Sequence, residues 1–286
     1  MSDREPDQQP DSAQADSRND LLPRVLSSLV MIPLIGYAIF EGGLVLKLVL
    51  CAVGALMAFE WANLLGDEER KEKLKAVLLA AVLIPIGVGF FWRHLADTVG
   101  IGLISALITM TIARQIDLQP VKYWSFLAIV SVTFPIGSLA VLRAITPLGM
   151  ETVFWILACV VATDVCAYLV GRAVGGPKLA PSISPGKTWS GLAGGVAGSV
   201  LASYAAAFYV EGSDLQMLLL FGGGIALVAQ FGDLTQSKIK RHFKIKDSGN
   251  LIPGHGGILD RVDGYILVFP IMAAVCYYSR QSVLAW

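Results

Sequence analysis

Long apolar segments alternate with short polar ones along most of the chain. From residue 25 onwards, nine apolar runs approach the length that an α-helix needs to cross a hydrocarbon layer of about 30 Å. These runs cover residues 25–40, 44–65, 76–92, 99–113, 123–142, 152–170, 189–210, 215–232 and 264–279. The pattern predicts an all-α fold, a polytopic transmembrane helical bundle of about nine spans.

Composition supports a membrane protein. Of the 286 residues, 55% are hydrophobic and 15% are charged, and the mean hydropathy of +0.64 lies outside the range of ordinary soluble domains. The first residues, MSDREPDQQPDSAQADSRND, contain no apolar side chain larger than alanine after Met1. A segment of this composition cannot form a core, so residues 1–21 are predicted to be a disordered acidic cytoplasmic tail.

The basic residues predict an orientation. If the tail is cytoplasmic, nine spans place all but Lys47, Arg93, Arg143 and Arg280 of the 22 Lys and Arg residues on the cytoplasmic face. Such a bias is typical of membrane proteins, whose cytoplasmic loops are enriched in Lys and Arg. Two charged segments, residues 171–191 and 237–264, then lie on the cytoplasmic face and can meet in one site. We therefore divide the chain into N-terminal transmembrane helices, 22–150, and a catalytic transmembrane region, 151–286.

Acidic residues occur near the cytoplasmic ends of several predicted spans. They are Glu60, Asp164, Asp233, Asp260 and Asp263. Acids at membrane depth are costly and often functional, although each could also serve as a polar contact between helices. Their similar predicted depth favours one shared polar cavity.

Asp260 and Asp263 are three residues apart at the expected start of the last helix. Their Cβ atoms would lie on one face, about 5–6 Å apart. With Asp233 they could hold Mg²⁺, or Mn²⁺, because hard cations prefer carboxylate oxygens. The alternative is a salt bridge to Lys240 or Arg261.

Two glycine-containing segments could bind phosphate. In PGHGG, residues 253–257, the backbone N–H groups of Gly256 and Gly257 could approach an anion. His255 could act as acid, base or phosphate donor, or it could be a simple turn residue. SPGKT, Ser184–Thr188, resembles the end of a Walker A loop, but the first glycine of that pattern would fall at Pro181. It remains a Gly, Lys and hydroxyl loop suited to phosphate.

The charged C-terminal segment resembles a known family. SKIKRHFKIKDSGNLIPGHGGILDRVD fits without a gap the signature S-x-x-K-R-x(4)-K-D-x-G-x-x-x-P-G-H-G-G-x-x-D-R-x-D of phosphatidate cytidylyltransferases, also called CDP-diacylglycerol synthases. The resemblance extends to D-x-x-A-Y-x-x-G-R at residues 164–172, to KLAPSISPGKTWSG at residues 178–191 and to Glu60 and Trp61. Gly186 and Ser190 depart from the loop ISPKKTxEG that is common in the family.

The resemblance implies transfer of a cytidylyl group from CTP to phosphatidate, with Mg²⁺ held by Asp233, Asp260 and Asp263. It implies a catalytic set of Asp233, Lys240, Asp260, Asp263 and His255. The implied substrate-binding residues are Ser184, Lys187, Thr188, Ser237, Arg241, Gly256, Gly257, Arg261, Asp164 and Arg172. The expected partners are CTP, phosphatidate, membrane lipids and a second copy of the chain as a homodimer, with no nucleic acid. The expected location is the bacterial inner membrane, with the N-terminus and active site cytoplasmic.

Other classes remain open. A transporter with a polar site at the membrane midplane would need charges at that depth, whereas these charges gather on one predicted face. A CDP-alcohol phosphotransferase would share the DRVDG segment at residues 260–264 but not the Ala-Arg that follows it in that motif. A CTP-dependent lipid kinase would share nucleotide and metal, and it differs in releasing CDP instead of pyrophosphate.

Overall fold

The chain forms a bundle of helices with one short β-hairpin. The computed structural model describes residues 21–66, 71–91, 103–109, 111, 121–249, 251 and 256–286. The helices are α1 Leu21–Glu41, α2 Gly43–Leu65, α3 Lys71–Phe91, α4 Val121–Ala144, α5 Gly149–Val174, α6 Trp189–Ala207, α7 Leu215–His242, α8 Leu259–Val262 and α9 Tyr265–Ser279. Strands β1 Lys178–Ala180 and β2 Ser184–Thr188 lie between α5 and α6, and a 3₁₀ turn at Val283–Ala285 follows α9.

Apolar composition makes several of these helices suitable for a bilayer. Among the described residues, four helical segments are long and apolar enough to cross a membrane: Gly43–Leu65, Tyr123–Ala144, Gly149–Val174 and Leu215–His242. Leu29–Glu41 and Tyr265–Ser279 are apolar but shorter. The predicted all-α polytopic bundle is confirmed in this form, while the count of about nine spans stays a prediction. Of the predicted run 99–113, the structure describes residues 103–109 and 111, which are helical, whereas the tail lies outside the described residues up to residue 20.

Helix α7 is longer than its apolar run. Asp214 caps its N-terminus by accepting hydrogen bonds from the backbone N–H groups of Gln216 at 2.9 Å and Met217 at 3.2 Å. The last turn carries three basic side chains, which favour the negative end of a helix dipole. The helix therefore continues ten residues beyond the predicted limit at residue 232 and brings Asp233 and Lys240 onto one rigid element.

The segment Ser184–Thr188, expected to be a loop, is a strand. It pairs antiparallel with β1, so that Lys178 lies opposite Thr188 and Ala180 opposite Ser184. Thr188 then caps α6 by accepting a hydrogen bond from the backbone N–H of Gly191 at 3.0 Å. Since a Thr cap fixes the start of a helix, the position of Lys187 relative to the bundle is fixed as well.

Small residues let α5, α6 and α7 pack closely. A Cβ added to Gly198 of α6 would lie 2.6 Å from Cys166 Sγ of α5. A Cβ added to Gly222 of α7 would lie 2.1 Å from Ser203 Oγ of α6, and Ser199 Oγ donates to the Gly222 carbonyl at 2.7 Å. Small side chains and interhelical hydrogen bonds are the usual means of packing helices in membranes. Of these three helices, α5 carries Asp164 and α7 carries Asp233 and Lys240.

Substitution of two glycines on α7 should have opposite effects on stability. In Gly222→Ala the new methyl group meets Ser203, and such overpacking costs about 1–3 kcal/mol. In Gly224→Ala nothing lies within 4 Å of the new Cβ, and the higher helix propensity of alanine should stabilise by up to about 1 kcal/mol. Thermal unfolding of both variants in detergent should show a lower Tm for Gly222→Ala only. Equal Tm values would contradict this packing.

Candidate active site

Lys187 joins the hairpin to helix α7. Its ammonium group lies 2.5 Å from Asp233 Oδ2 and donates to Gln230 Oε1 at 3.0 Å. Gln230 in turn donates to Asp164 Oδ1 of α5 at 3.5 Å, and Ser237 Oγ donates to Asp233 Oδ1 at 3.2 Å. The Asp233 carboxylate therefore joins Lys187 of the segment 171–191 to Ser237 of the segment 237–264.

A second ion pair lies further along α7. Lys240 Nζ is 2.7 Å from Asp260 Oδ1 and 3.9 Å from Asp263 Oδ2. The sequence predicted that these two acids lie at the start of the last helix. In the structure they do not. Asp260 belongs to the short helix α8, and Asp263 follows it before α9 begins at Tyr265. Asp260 forms the salt bridge to Lys240 that the sequence left open, and the metal assignment stays a prediction.

Asp260 also organises the surrounding backbone. Its Oδ2 atom accepts from the Ser248 N–H at 2.8 Å, the Ser248 hydroxyl at 3.0 Å and the Gly257 N–H at 3.1 Å. Burial acts to raise the pKa of Asp260, but the hydrogen bonds from Lys240, Ser248 and Gly257 outweigh it, and the pKa lies below its usual value. Both oxygens of this carboxylate are therefore engaged within the protein.

Asp263 lies in a more negative environment. Burial, followed by the nearby Asp233 carboxylate, raises the pKa of Asp263 well above its usual range, and Asp164 adds to the effect. Lys240 and a 2.8 Å hydrogen bond from the Gly264 N–H act in the opposite direction. The side chain of Asp164 itself is exposed at the edge of the cluster. The negative charges of Asp164, Asp233 and Asp263 thus lie near each other, and the nearby lysines do not balance all of them.

Glu60 of α2 contributes to the same region from the N-terminal half of the chain. It is 1% exposed, and its two oxygens accept from the backbone N–H groups of Ile258 at 2.7 Å and Leu259 at 2.9 Å. The sequence marks Glu60 as an acid at membrane depth next to Trp61, but it assigns no role to it. No local pattern indicates a contact with residues so far along the chain.

The glycines of the C-terminal motif are explained by close approach. A Cβ on Gly257 would lie 2.1 Å from Ser248 Oγ and 2.7 Å from Glu60 Oε2, and Gly256 has a positive φ of 78°. The Gly257 N–H, expected to face an anion, donates to Asp260. His255 lies outside the described residues, so its predicted role stays a prediction.

The remaining predicted binding residues lie on several elements. Arg241 donates to the backbone carbonyls of Ile183 at 3.4 Å and Ile245 at 3.1 Å. Arg172 donates to the Tyr168 hydroxyl at 2.8 Å at the exposed end of α5. Ser184 lies in β2, Thr188 caps α6, and Arg261 is exposed on α8.

The departures from the common family loop are accommodated locally. A Cβ on Gly186 would have nothing within 4 Å, so this position has room for a longer side chain. Ser190 donates to the Gly175 carbonyl and lies 3.0 Å from Thr188 Oγ1. The hairpin therefore keeps its shape without the Lys and Glu found in that loop.

The chain is similar in sequence to proteins of one known family. The sequence profile of the cytidylyltransferase family matches residues 22–279. The phosphatidate cytidylyltransferase of Brucella suis is 35% identical over 270 residues, which is 93% of this chain and 95% of the relative. That of Pseudomonas aeruginosa is 36% identical over 269 residues, covering 90% and 97% of the two chains. That of Bacillus subtilis is 31% identical over 274 residues, covering 90% and 96%. The chain therefore belongs to the cytidylyltransferase family of nucleotidyltransferase enzymes.

Proposed function

We propose that this enzyme transfers a cytidylyl group from CTP to phosphatidate and yields CDP-diacylglycerol and pyrophosphate. The relatives that span almost the whole chain are phosphatidate cytidylyltransferases. The observation that carries the proposal is the cluster of Lys187, Lys240 and their carboxylate partners where apolar helices meet charged segments. A lipid phosphate and a soluble nucleotide need such a place to meet.

Electrostatic repulsion is the main obstacle to this reaction. Two like unit charges 4 Å apart repel by about 4 kcal/mol at an effective dielectric constant of 20. Phosphatidate and CTP are both polyanions, so positive groups must offset the repulsion between several pairs of like charges. Lys187 and Lys240 supply two cations on rigid elements, a strand that leads into α6 and the helix α7. Each can exchange its carboxylate partner for a substrate phosphate when the substrates bind.

The chemistry requires no covalent enzyme intermediate. An oxygen of the lipid phosphate attacks the α-phosphorus of CTP, and the bond from that phosphorus to the bridging oxygen of the β-phosphate breaks. Pyrophosphate takes the electron pair of that bond. Positioning and charge stabilisation dominate catalysis in reactions of this kind. Lys240, held between Asp260 and Asp263, is placed to stabilise charge that shifts toward pyrophosphate.

Asp233 and Asp263 are the residues that would hold Mg²⁺ or Mn²⁺. Burial, followed by the nearby Asp233 carboxylate, raises the pKa of Asp263, which fits a site that gains from a cation, and carboxylate oxygens suit hard cations. Among the described residues, no three His, Cys, Asp or Glu side chains form a ready-made metal site, and Asp260 is already engaged on both oxygens. When bound, the metal would neutralise charge on the triphosphate.

The position of a label in CTP tests the proposed reaction. With purified enzyme and phosphatidate in detergent, label at the α-phosphorus should enter a lipid product. Label at the γ-phosphorus should appear in pyrophosphate. The opposite result, γ-label in the lipid and release of CDP, would identify a lipid kinase. Omitting phosphatidate is the control, and label should then remain in CTP.

We also propose that the active site faces the cytoplasm of the bacterial inner membrane. Helix α7 contains 28 residues, a length of about 42 Å, so Ser213 and Lys244 lie near its opposite ends. In spheroplasts, a membrane-impermeant thiol reagent should label Ser213→Cys directly and Lys244→Cys only after lysis. The unsubstituted protein sets the background from the part-buried Cys51 and Cys166. Labelling of both variants from one side would refute the orientation.

Removal of one carboxylate charge should abolish turnover. Asp263→Asn keeps the shape of the side chain but removes a proposed metal ligand, and kcat should fall by at least about 100- to 1000-fold. Asp214→Asn is the matched control, because Asp214 caps the far end of α7 and asparagine caps a helix equally well. Activity of Asp263→Asn near that of the control at saturating Mg²⁺ would exclude this metal assignment.

A further inference from the structure

Glu60 makes long-range contacts that the proposed reaction does not itself use. Glu60 lies in α2, and among the described residues its side chain accepts hydrogen bonds from the C-terminal signature segment, residues 237–263. They come from the Ile258 N–H at 2.7 Å, the Leu259 N–H at 2.9 Å and the Ser248 hydroxyl at 3.1 Å. These partners lie 188 to 199 residues further along the chain. A buried carboxylate thus connects α2 to the segment that carries Asp260.

The contacts use both oxygens of Glu60 as acceptors. Oε1 receives the Ile258 N–H, and Oε2 receives the Leu259 N–H and the Ser248 hydroxyl. The N–H groups at the start of a helix have no partners within that helix, and α8 begins at Leu259. Glu60 supplies from another helix the acceptor that a local cap would supply. Hydrogen bonds of this kind to a charged acceptor are among the stronger ones in proteins.

The same contacts connect Glu60 to Asp260. The Ser248 hydroxyl lies 3.1 Å from Glu60 Oε2 and 3.0 Å from Asp260 Oδ2, so the two carboxylates share one donor. Asp260 also receives the Gly257 N–H and, on its other oxygen, the Lys240 ammonium group. A movement of Glu60 therefore displaces the backbone of residues 257–259, and with it the acid that holds Lys240.

The packing leaves little room for such a movement. A Cβ on Gly257 would lie 2.7 and 2.8 Å from the two Glu60 oxygens, and one on Gly249 would lie 3.2 Å from Oε1. Glycine at both positions lets the backbone pass directly over the carboxylate. Tight packing of this kind fixes geometry, because interiors transmit displacements and do not absorb them.

We infer that Glu60 is a positioning residue for the transfer reaction. It orients Asp260 and Lys240 through the backbone of residues 257–259 and the hydroxyl of Ser248. This inference rests on the proposed function for its kinetic consequence, while the contact itself is a property of the fold. A purely structural glutamate would change stability and leave the kinetic constants of the folded enzyme unchanged. A positioning residue lowers kcat and leaves KM nearly constant, because its effect is largest in the transition state.

Glu60→Gln is the first variant to test. Glutamine has the same size, but it replaces one acceptor oxygen with an amide donor that faces other donors. We expect kcat to fall about 10- to 100-fold, the range found when groups that orient ligands or catalytic residues are altered, and KM for CTP and phosphatidate to stay within about twofold. Glu72→Gln on α3 is the matched control, because Glu72 is exposed and its ion pair among the described residues is with Lys75, one turn further along the helix. Wild-type kcat in Glu60→Gln would overturn the inference.

Hydrogen–deuterium exchange gives a readout that is independent of activity. Peptides that cover residues 256–262 should exchange faster in Glu60→Gln than in the wild type, while peptides from α6 should not change. Unchanged exchange at residues 256–262 would overturn the inference whatever the kinetics. If the wild type is inactive with CTP and phosphatidate, the proposed function fails, and exchange alone decides whether Glu60 holds this segment.

Two further variants separate positioning from folding. In an Asp260→Asn background, Glu60→Gln should lower kcat much less than it does in the wild type, because residues that act as a unit have non-additive effects. If Glu60→Gln does not fold, Ser248→Ala removes only the shared hydroxyl, and it should lower kcat by about 3- to 10-fold, the scale of one hydrogen bond. Full additivity in the double variant, or wild-type kcat in Ser248→Ala, would contradict the inference.

Discussion

Negative charge among apolar helices must be balanced, and this requirement determines how the elements around the site are placed. An ionised carboxylate that loses water without gaining partners costs several kcal/mol. Asp233 is balanced by Lys187, and Asp260 is balanced by Lys240 together with backbone donors. Glu60 is balanced by donors from residues 248–259. The hairpin folds against α7, and the motif segment folds against α2, because each brings the donors that one of these acids needs.

The sequence predicts the elements well and their contacts only in part. Apolar runs such as 44–65 and 123–142 correspond closely to α2 and α4, because hydrophobic length alone decides such helices. The C-terminal end of α7 could not be predicted from hydrophobic length. Its last turns are polar, and contacts to Asp260 and to the hairpin support them. The Ser184–Thr188 strand was also missed. It is five residues long, contains proline and glycine, and depends on pairing with β1.

In the candidate site, too, the sequence identifies the residues but not their contacts with distant parts of the chain. The charged residues Lys187, Asp233, Lys240, Asp260 and Asp263 could be found from the sequence, because charges at membrane depth are rare and their spacing matches a known signature. Their pairing could not be found, because it depends on how α7 and α8 pack. Lys187 lies directly against Asp233, so in the proposed reaction a nucleotide phosphate would compete with an acid for this cation. With Gly186 beside it, Lys187 is the one cationic side chain within β2.

The order in which the chain is made gives Glu60 a further consequence. Glu60 leaves the ribosome long before its partners, and Leu259 follows it by 199 residues. Until that segment is inserted, the carboxylate needs water or lipid head groups around it, because burial without donors is too costly. Helix α2 can therefore enter the bilayer early but reaches its final packing only after the C-terminal segment arrives. Final packing of α2 during biogenesis thus depends on a segment that is synthesised much later.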